Sequence, residues 1–289
     1  MKVLPPVPRM LVIGATGFLG GSLMRSRDTR FERIAAGRIA CDVTDPASVR
    51  LAFVESRPDV VILTAALADI DRCEKEPELA RAINVHGAEN VAKECARLGV
   101  RLLFTSSGAI FDGTSEGYHE AHRPSPLSVY GKTKAEAEQR IREIVPDAAI
   151  VRLSLALGHS PRGGTNALVD KLEAAFRKGN PVYVPPDEFR NAIDVDTLSR
   201  WILDLAHAPN ASGIFHLGAS NALSRYEIVR HLAQAMGYST DLVVAQDSAL
   251  NRAPRGRRQL LIPARIAEHS GIPVPTCLEA IERCLHVTA

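Results

Sequence analysis

Met10-Leu-Val-Ile-Gly14-Ala-Thr-Gly17-Phe-Leu-Gly20 decides how this chain is read. A compact apolar run ends at Gly14, and the glycines that follow have the spacing GxxGxxG. That order predicts a first strand, a tight turn and a helix packed closely on the strand. Glycine is required where backbone must approach a pyrophosphate and then enter such a helix. The first turn of the helix offers unpaired N–H groups and a partial positive charge to the anion. Gly14, Thr16, Gly17, Phe18, Leu19 and Gly20 are therefore the candidate phosphate cradle of a dinucleotide.

The end of the second predicted strand, Glu32–Ala36, bears on which dinucleotide. NAD sites commonly place an acid there for the ribose 2′-hydroxyl, and NADP sites favour arginine. The chain reads Ala35-Ala36-Gly37-Arg38, with no acid, so Arg38 is the candidate partner of a 2′-phosphate. NADP(H) is the expected cofactor and NAD fits less well. Asp42 lies too far along to serve the ribose and, with Val43, suits the adenine edge.

Outward from the motif, strand and helix alternate with short connections. Within Asp59–Thr64 the run VVIL is apolar throughout, as in a parallel strand buried on both faces. Asp45–Arg57 places Val49, Ala52 and Phe53 at helical spacing. Pro77 suits a helix start, and Ala88, Val91, Ala92, Cys95 and Leu98 align on one face before Gly99. Arg101–Ser106, a helix over Ser128–Val145 and a strand over Ala148–Ser154 complete the order of a doubly wound parallel sheet. The fold class is α/β, a Rossmann domain over 1–157 with 189–218 returning to it. The proline- and glycine-richer stretches 158–188 and 219–289 form a smaller α+β substrate-binding part. Helices are expected there at Asn166–Lys178, Ser224–Met236 and Thr276–Leu285.

Composition excludes several classes. The 289 residues are 46% hydrophobic and 24% charged, with a net charge of +2, too small to argue for nucleic acid or an anionic membrane as partner. No apolar run approaches the roughly 20 residues of a membrane-spanning helix, and the N-terminus lacks a signal-peptide core. The five cysteines show no metal-ligand spacing, which fits free thiols, no metal site and a cytoplasmic protein. His159, His207 and His216 are read as structural.

Tyr130-Gly-Lys-Thr-Lys134 carries the chemistry. On a helix the tyrosine and lysine share one face about 6 Å apart, and Ala137 and Ile141 continue the stripe. A lysine on a buried stripe is not a packing choice. Carbonyl reduction needs a hydride donor and an acid for the developing alkoxide, and a free phenol titrates near ~10. A nearby ammonium, helped by an oxidised nicotinamide, is expected to favour the phenolate and to bond the nicotinamide ribose. Thr105-Ser106-Ser107 ends a central strand, where ligands of open sheets gather; Ser107 is the candidate hydroxyl for the substrate oxygen.

With these residues in view, the chain resembles the extended short-chain dehydrogenase/reductase superfamily and, more narrowly, the dTDP-4-dehydrorhamnose reductase family. The shared landmarks are Gly14–Gly20, Arg57-Pro-Asp-Val60, Thr64-Ala-Ala66 with Asp71-Arg-Cys-Glu74, Ile83-Asn84-Val85, Phe111-Asp-Gly113, Tyr130–Lys134, Val151-Arg152 and Gly213–Gly218. The resemblance implies Ser107, Tyr130 and Lys134 as a catalytic triad, with Asn84 and Ser106 supporting the cofactor and Ala65 and Ala66 lining its adenosine side. It also implies a nucleotide-sugar substrate and a homodimer. Two places depart from the family pattern. Gly108-Ala109 replaces an Asp-Tyr pair after the hydroxyl, and Leu155 replaces a tryptophan. Gly108-Ala109 also lacks the Asp-Glu pair of the related 4,6-dehydratases, which argues against that activity.

Arg190 and the cluster Arg252, Arg255, Arg257 and Arg258 are candidates to clamp a substrate diphosphate, or else solvated loop residues. The sequence does not choose among the four; Arg255 stands for them. The expectation is thus an NADPH-dependent reductase of a keto group on a nucleotide sugar. A regulatory protein resembling the methionine adenosyltransferase β subunit and a nucleotide-sugar epimerase are the alternatives.

Overall fold

The computed structural model describes residues 7–160, 167–246 and 253–285. Six parallel strands form the central sheet: β1 (Arg9–Ile13), β2 (Glu32–Ala36), β3 (Val60–Leu63), β4 (Arg101–Ser107), β5 (Ala149–Leu153) and β10 (Gly213–Leu217), in the order β10-β5-β4-β3-β1-β2. The chain moves from β1 outward to β2, then crosses to β3 on the other side of β1. This reversal opens a crevice at the carboxyl ends of β1 and β3, where open α/β sheets bind ligands.

Both faces of the sheet are covered, and the strands are apolar on both sides for that reason. Met10 and Val12 of β1 join one core with α1 (Phe18–Arg25) and α8 (Val195–His207), centred on the fully buried Trp201. Leu11 and Ile13 join the other with α2 (Pro46–Ser56), α5 (Gly87–Leu98) and α6 (Val129–Ile144). Asp45 caps α2 through Ala47 N–H and Ser128 caps α6 through Gly131 N–H. Gly99 ends α5 in the left-handed region at φ +66°, as its glycine suggests. Leu98 departs from expectation: it lies off the buried stripe and is 46% exposed.

The pattern expected from Pro77 to Gly99 is not one uniform helix. After the short helices α3 (Ile70–Lys75) and α4 (Pro77–Arg81), the chain widens into a π turn at Ala82–His86 before α5. Asn84 sits in that turn, and such turns are frequent at functional sites.

A third core unites most of the C-terminal part: α7 (Leu168–Arg177), α9 (Arg225–Ala235) and α11 (Cys277–Leu285). Short strands brace it. β6 (Ala156–Leu157) pairs with β9 (Ile193–Asp194), β7 (Val182–Val184) with β12 (Val243–Ala245), and β8 (Phe189–Arg190) lies between β11 (Leu223–Ser224) and β13 (Arg258–Gln259). α10 (Ala264–Ser270) packs back on β10. All five cysteines are free and buried. Among the described residues no helix is long and apolar enough to cross a membrane, and no group of His, Cys, Asp and Glu is arranged to hold a metal ion.

Candidate active site

The glycine turn is as tight as the spacing requires. Gly14 has φ +93°, and a Cβ on it would lie 2.6 Å from both Ala65 N and Thr64 Oγ1. A Cβ on Gly20 would lie 2.3 Å from Gly14 O, so α1 starts against the end of β1 with no room for a side chain. Gly17, the N-cap, provides no side-chain hydrogen bond to α1. The first-turn N–H groups of an α-helix have no intrahelical partner. Thr16, Phe18 and Leu19 complete the turn, and Ala65 and Ala66 follow β3 directly beside it. This glycine cradle fits an entering pyrophosphate. Gly20→Ala is expected to displace α1 and weaken NADPH binding by at least about tenfold, read by quenching of nucleotide fluorescence. Unchanged affinity would separate the turn from cofactor binding.

Around the rim, Arg38 is 84% exposed and makes only a loose ion pair with Asp42, Nε to Oδ2 at 3.9 Å. Its guanidinium is therefore available to an anion from solvent. Asp42 accepts hydrogen bonds from Thr44 N–H at 3.0 Å and Thr44 Oγ1–H at 2.7 Å, and these hold its carboxyl below the ordinary value. Val43 is buried under Gly87, where a Cβ would meet it at 2.6 Å.

The candidate reacting groups converge at the end of β4 and the start of α6. The Tyr130 hydroxyl lies near Ser107, whose side chain acts to lower its pKa, and Ser107 Oγ accepts from Ala109 N–H at 3.2 Å. The Tyr130 ring packs with Cys73, Ala80 and Ala109. Lys134 is 1% exposed, one turn further along α6, with its Nζ 4.0 Å from the centre of the Phe104 ring. Burial sets the protonation of both groups. It pushes the Tyr130 phenol up to about 12, outweighing the influence of Ser107. It pushes the Lys134 ammonium down to about 7, against the pull of Glu138. In the protein alone, desolvation dominates the Tyr130 phenol.

Asn84 is 1% exposed and acts through the backbone of its neighbours. Its amide Oδ1 accepts from Leu67 N–H at 2.8 Å, and its Nδ2 donates to Leu67 O at 3.1 Å and to Thr133 Oγ1 at 3.0 Å. Thr133 in turn donates to the Tyr130 carbonyl at 2.8 Å. The π turn is therefore tied to both the loop after β3 and the helix of Tyr130. Ser106 Oγ and Ser154 Oγ, buried at the ends of neighbouring strands, have no hydrogen-bond partner among the described residues.

These features match known proteins over the full fold. Residues 8–289 match the family model described as RmlD substrate binding domain. The chain belongs to that family. It is 31% identical to the spore coat polysaccharide biosynthesis protein SpsK of Bacillus subtilis, over 96% of each chain. It is 30% identical to methionine adenosyltransferase 2 subunit beta of Xenopus laevis, over 86% of this chain and 79% of that one. Among solved structures, dTDP-4-dehydrorhamnose reductase of Bacillus anthracis in complex with NADP superposes with a TM-score of 0.89 and 26% identity, covering 97% of this chain and 99% of that one. Family and fold together make the protein an NAD(P)-dependent oxidoreductase of the short-chain dehydrogenase/reductase type.

Within the RmlD substrate-binding family, the arginines of this member have distinct fates. Arg190 is turned onto the protein itself: its guanidinium donates to the carbonyls of Phe189 at 2.7 Å, Arg257 at 3.1 Å and Gly256 at 3.0 Å. Its guanidinium thus ties β8 to the main chain of the Gly256–Arg257 stretch. Arg255 pairs with Asp71 at 2.9 Å and is 12% exposed. Arg257 is 74% exposed beside Asp187, and Arg258 lies over the Phe189 ring at 4.6 Å. Arg252 lies outside the described residues.

Gly108 and Ala109 form a buried 3-10 turn after Ser107, with Leu261 3.5 Å from where a Gly108 Cβ would stand. The wall that the family pattern makes from an acid and a phenol is apolar here. Leu155 packs partly buried against the third core.

Proposed function

We propose that the protein is an NADPH-dependent reductase of a keto group on a nucleotide sugar. The observation that carries this reading is the Ser107–Tyr130 hydroxyl pair with Lys134 one turn on, at the same sheet edge as the glycine turn. Gly14, Thr16, Gly17, Phe18, Leu19 and Gly20 would hold the pyrophosphate, Arg38 the 2′-phosphate, Asp42 and Val43 the adenine edge, and Ala65 and Ala66 the adenosine side. Ser106, Tyr130 and Lys134 would face the nicotinamide half, with Asn84 holding their helix in place. The dinucleotide, when bound, supplies the hydride.

The chain supplies the rest. Ser107 Oγ donates a hydrogen bond to the substrate carbonyl oxygen and so fixes its position. Tyr130 Oη gives that oxygen its proton, and a phenol pushed up to about 12 is fully protonated at neutral pH, the form a donor needs. Delivery leaves a phenolate, which a protonated Lys134 stabilises by charge. The burial of Tyr130 and Lys134 keeps water from competing for the proton.

The test is a calorimetric titration of NADPH and NADH into wild type and Arg38→Ala. NADPH is expected to bind at least tenfold tighter, about 1.4 kcal/mol, and the variant to lose that margin. Equal affinities in wild type would remove the NADP assignment. The similarity to a methionine adenosyltransferase β subunit favours one second reading, a partner-binding role built on the same dinucleotide site. Stoichiometric co-purification of a partner enzyme, without turnover of any keto sugar nucleotide, would select it.

A further inference from the structure

Ala253–Leu261 is a stretch of the C-terminal part that reaches across to the Rossmann side. Its first anchor is α3. Ala253 N–H donates to Asp71 Oδ1 at 2.9 Å. Arg255 donates through Nη2 to Asp71 Oδ2 at 2.9 Å and through Nη1 to the Ala253 carbonyl at 3.1 Å. One carboxylate thus holds both the entry of the segment and its first described arginine.

The same six-residue helix borders the tyrosine. Cys73 of α3 packs against Tyr130, and Glu74 Oε1 accepts from Val129 N–H, at the first residue of α6, at 2.7 Å. Further along, the segment presses on the loop after β4. A Cβ on Gly113, at φ +78°, would lie 2.6 Å from Arg257 N, and Gln259 Nε2 donates to Phe111 O at 3.0 Å. Leu261 then reaches Gly108, the neighbour of Ser107.

We infer that Asp71 is a positioning residue for the substrate side: it docks Arg255, and with it Ala253–Arg258, against the wall of Tyr130 to receive an anionic phosphate of the substrate. An arginine on a loop samples many rotamers, and fixing it beforehand removes that cost from ligand binding. The planar guanidinium has five N–H donors, so contacts to Asp71 and Ala253 leave donors for a phosphate oxygen. Asp71 does this without touching the substrate. The phosphate part of the inference rests on the nucleotide-sugar reading; the docking itself does not.

The test compares wild type, Asp71→Ala and Asp71→Glu as full chains saturated with NADPH. Trypsin cleavage at the Arg255–Gly256 and Arg257–Arg258 bonds is followed by mass spectrometry, and dTDP affinity by calorimetry. Asp71→Ala is expected to be cut at least about tenfold faster and to bind dTDP about tenfold more weakly, with NADPH affinity unchanged. Asp71→Glu is expected to recover most of both, because it keeps the charge. Cleavage at the wild-type rate in Asp71→Ala would overturn the inference. So would a parallel loss of NADPH affinity, which would show a general structural role. A wild type that does not bind dTDP would overturn the nucleotide-sugar reading and the phosphate half with it, while the cleavage rates still decide the docking.

Discussion

Tyr130→Phe is expected to bind NADPH within about threefold of wild type and to reduce carbonyl turnover by roughly 10²–10⁴. The ring is what the protein packs: Cys73, Ala80 and Ala109 surround it, and a phenyl group fills the same space. In the proposed mechanism the hydroxyl is what the reaction uses. Removing it takes away that proton donor, while Ser107 still accepts from Ala109 N–H. Asn84 and Thr133 hold α6 through the backbone of Tyr130, so the helix keeps its place. The measurement is single-turnover NADPH oxidation with a 4-keto sugar nucleotide, paired with a binding titration on the same sample. A variant that turns over within threefold of wild type would mean another group delivers the proton.

Glu138→Gln is expected to destabilise the fold by about 3–5 kcal/mol, the range found when one partner of a buried ion pair is removed. Glu138 and Arg152 are both buried, and the guanidinium donates from Nε to Oε1 at 3.1 Å and from Nη2 to Oε2 at 2.8 Å. Without the carboxylate, Arg152 keeps the Glu120 carbonyl and His216 Nε2 at 3.3 Å as polar contacts. His216, an imidazole, offers no anion to replace it and is held neutral. Burial pushes its imidazole down to about 3, with Arg152 adding to the shift, and Nδ1 is engaged with Tyr118 O at 2.9 Å. Lys134 lies one turn before Glu138 on α6 and loses the same anion. The double variant Glu138→Gln with Arg152→Met should recover much of the loss, since it removes both buried charges. Denaturant midpoints of the three proteins decide the matter: a single variant within 1 kcal/mol of wild type would show that water or relaxation compensates Arg152.

The parts of this site that were legible in the sequence are those governed by short-range geometry. GxxGxxG after an apolar run requires a tight turn before a helix, and Gly14 and Gly20 have no room for a Cβ. Tyr130 and Lys134 share a helix face because of their spacing, and the stripe through Ala137 and Ile141 is buried. Strand after strand falls within a residue or two of its apolar run, because a parallel strand covered on both faces must be apolar throughout.

Other features were not legible, because the deciding partner is remote in the chain. Arg190 and Arg255 looked alike as candidate clamps; one is bound to carbonyls 66 and 67 residues away, the other to a carboxylate 184 residues away. Asn84 showed no sign of its bond to Thr133, 49 residues on. The burial of the Tyr130 phenol, to which α3, α4 and the turn after β4 contribute, could not be read from its own helix. By itself, then, the sequence determined the sheet, the glycine cradle and the Tyr–Lys face, since each depends on backbone sterics and periodicity within a few residues. Only the tertiary structure decided which charges are paired and which hydroxyls are dehydrated, because Coulomb and solvation energies depend on distances that only the folded chain sets.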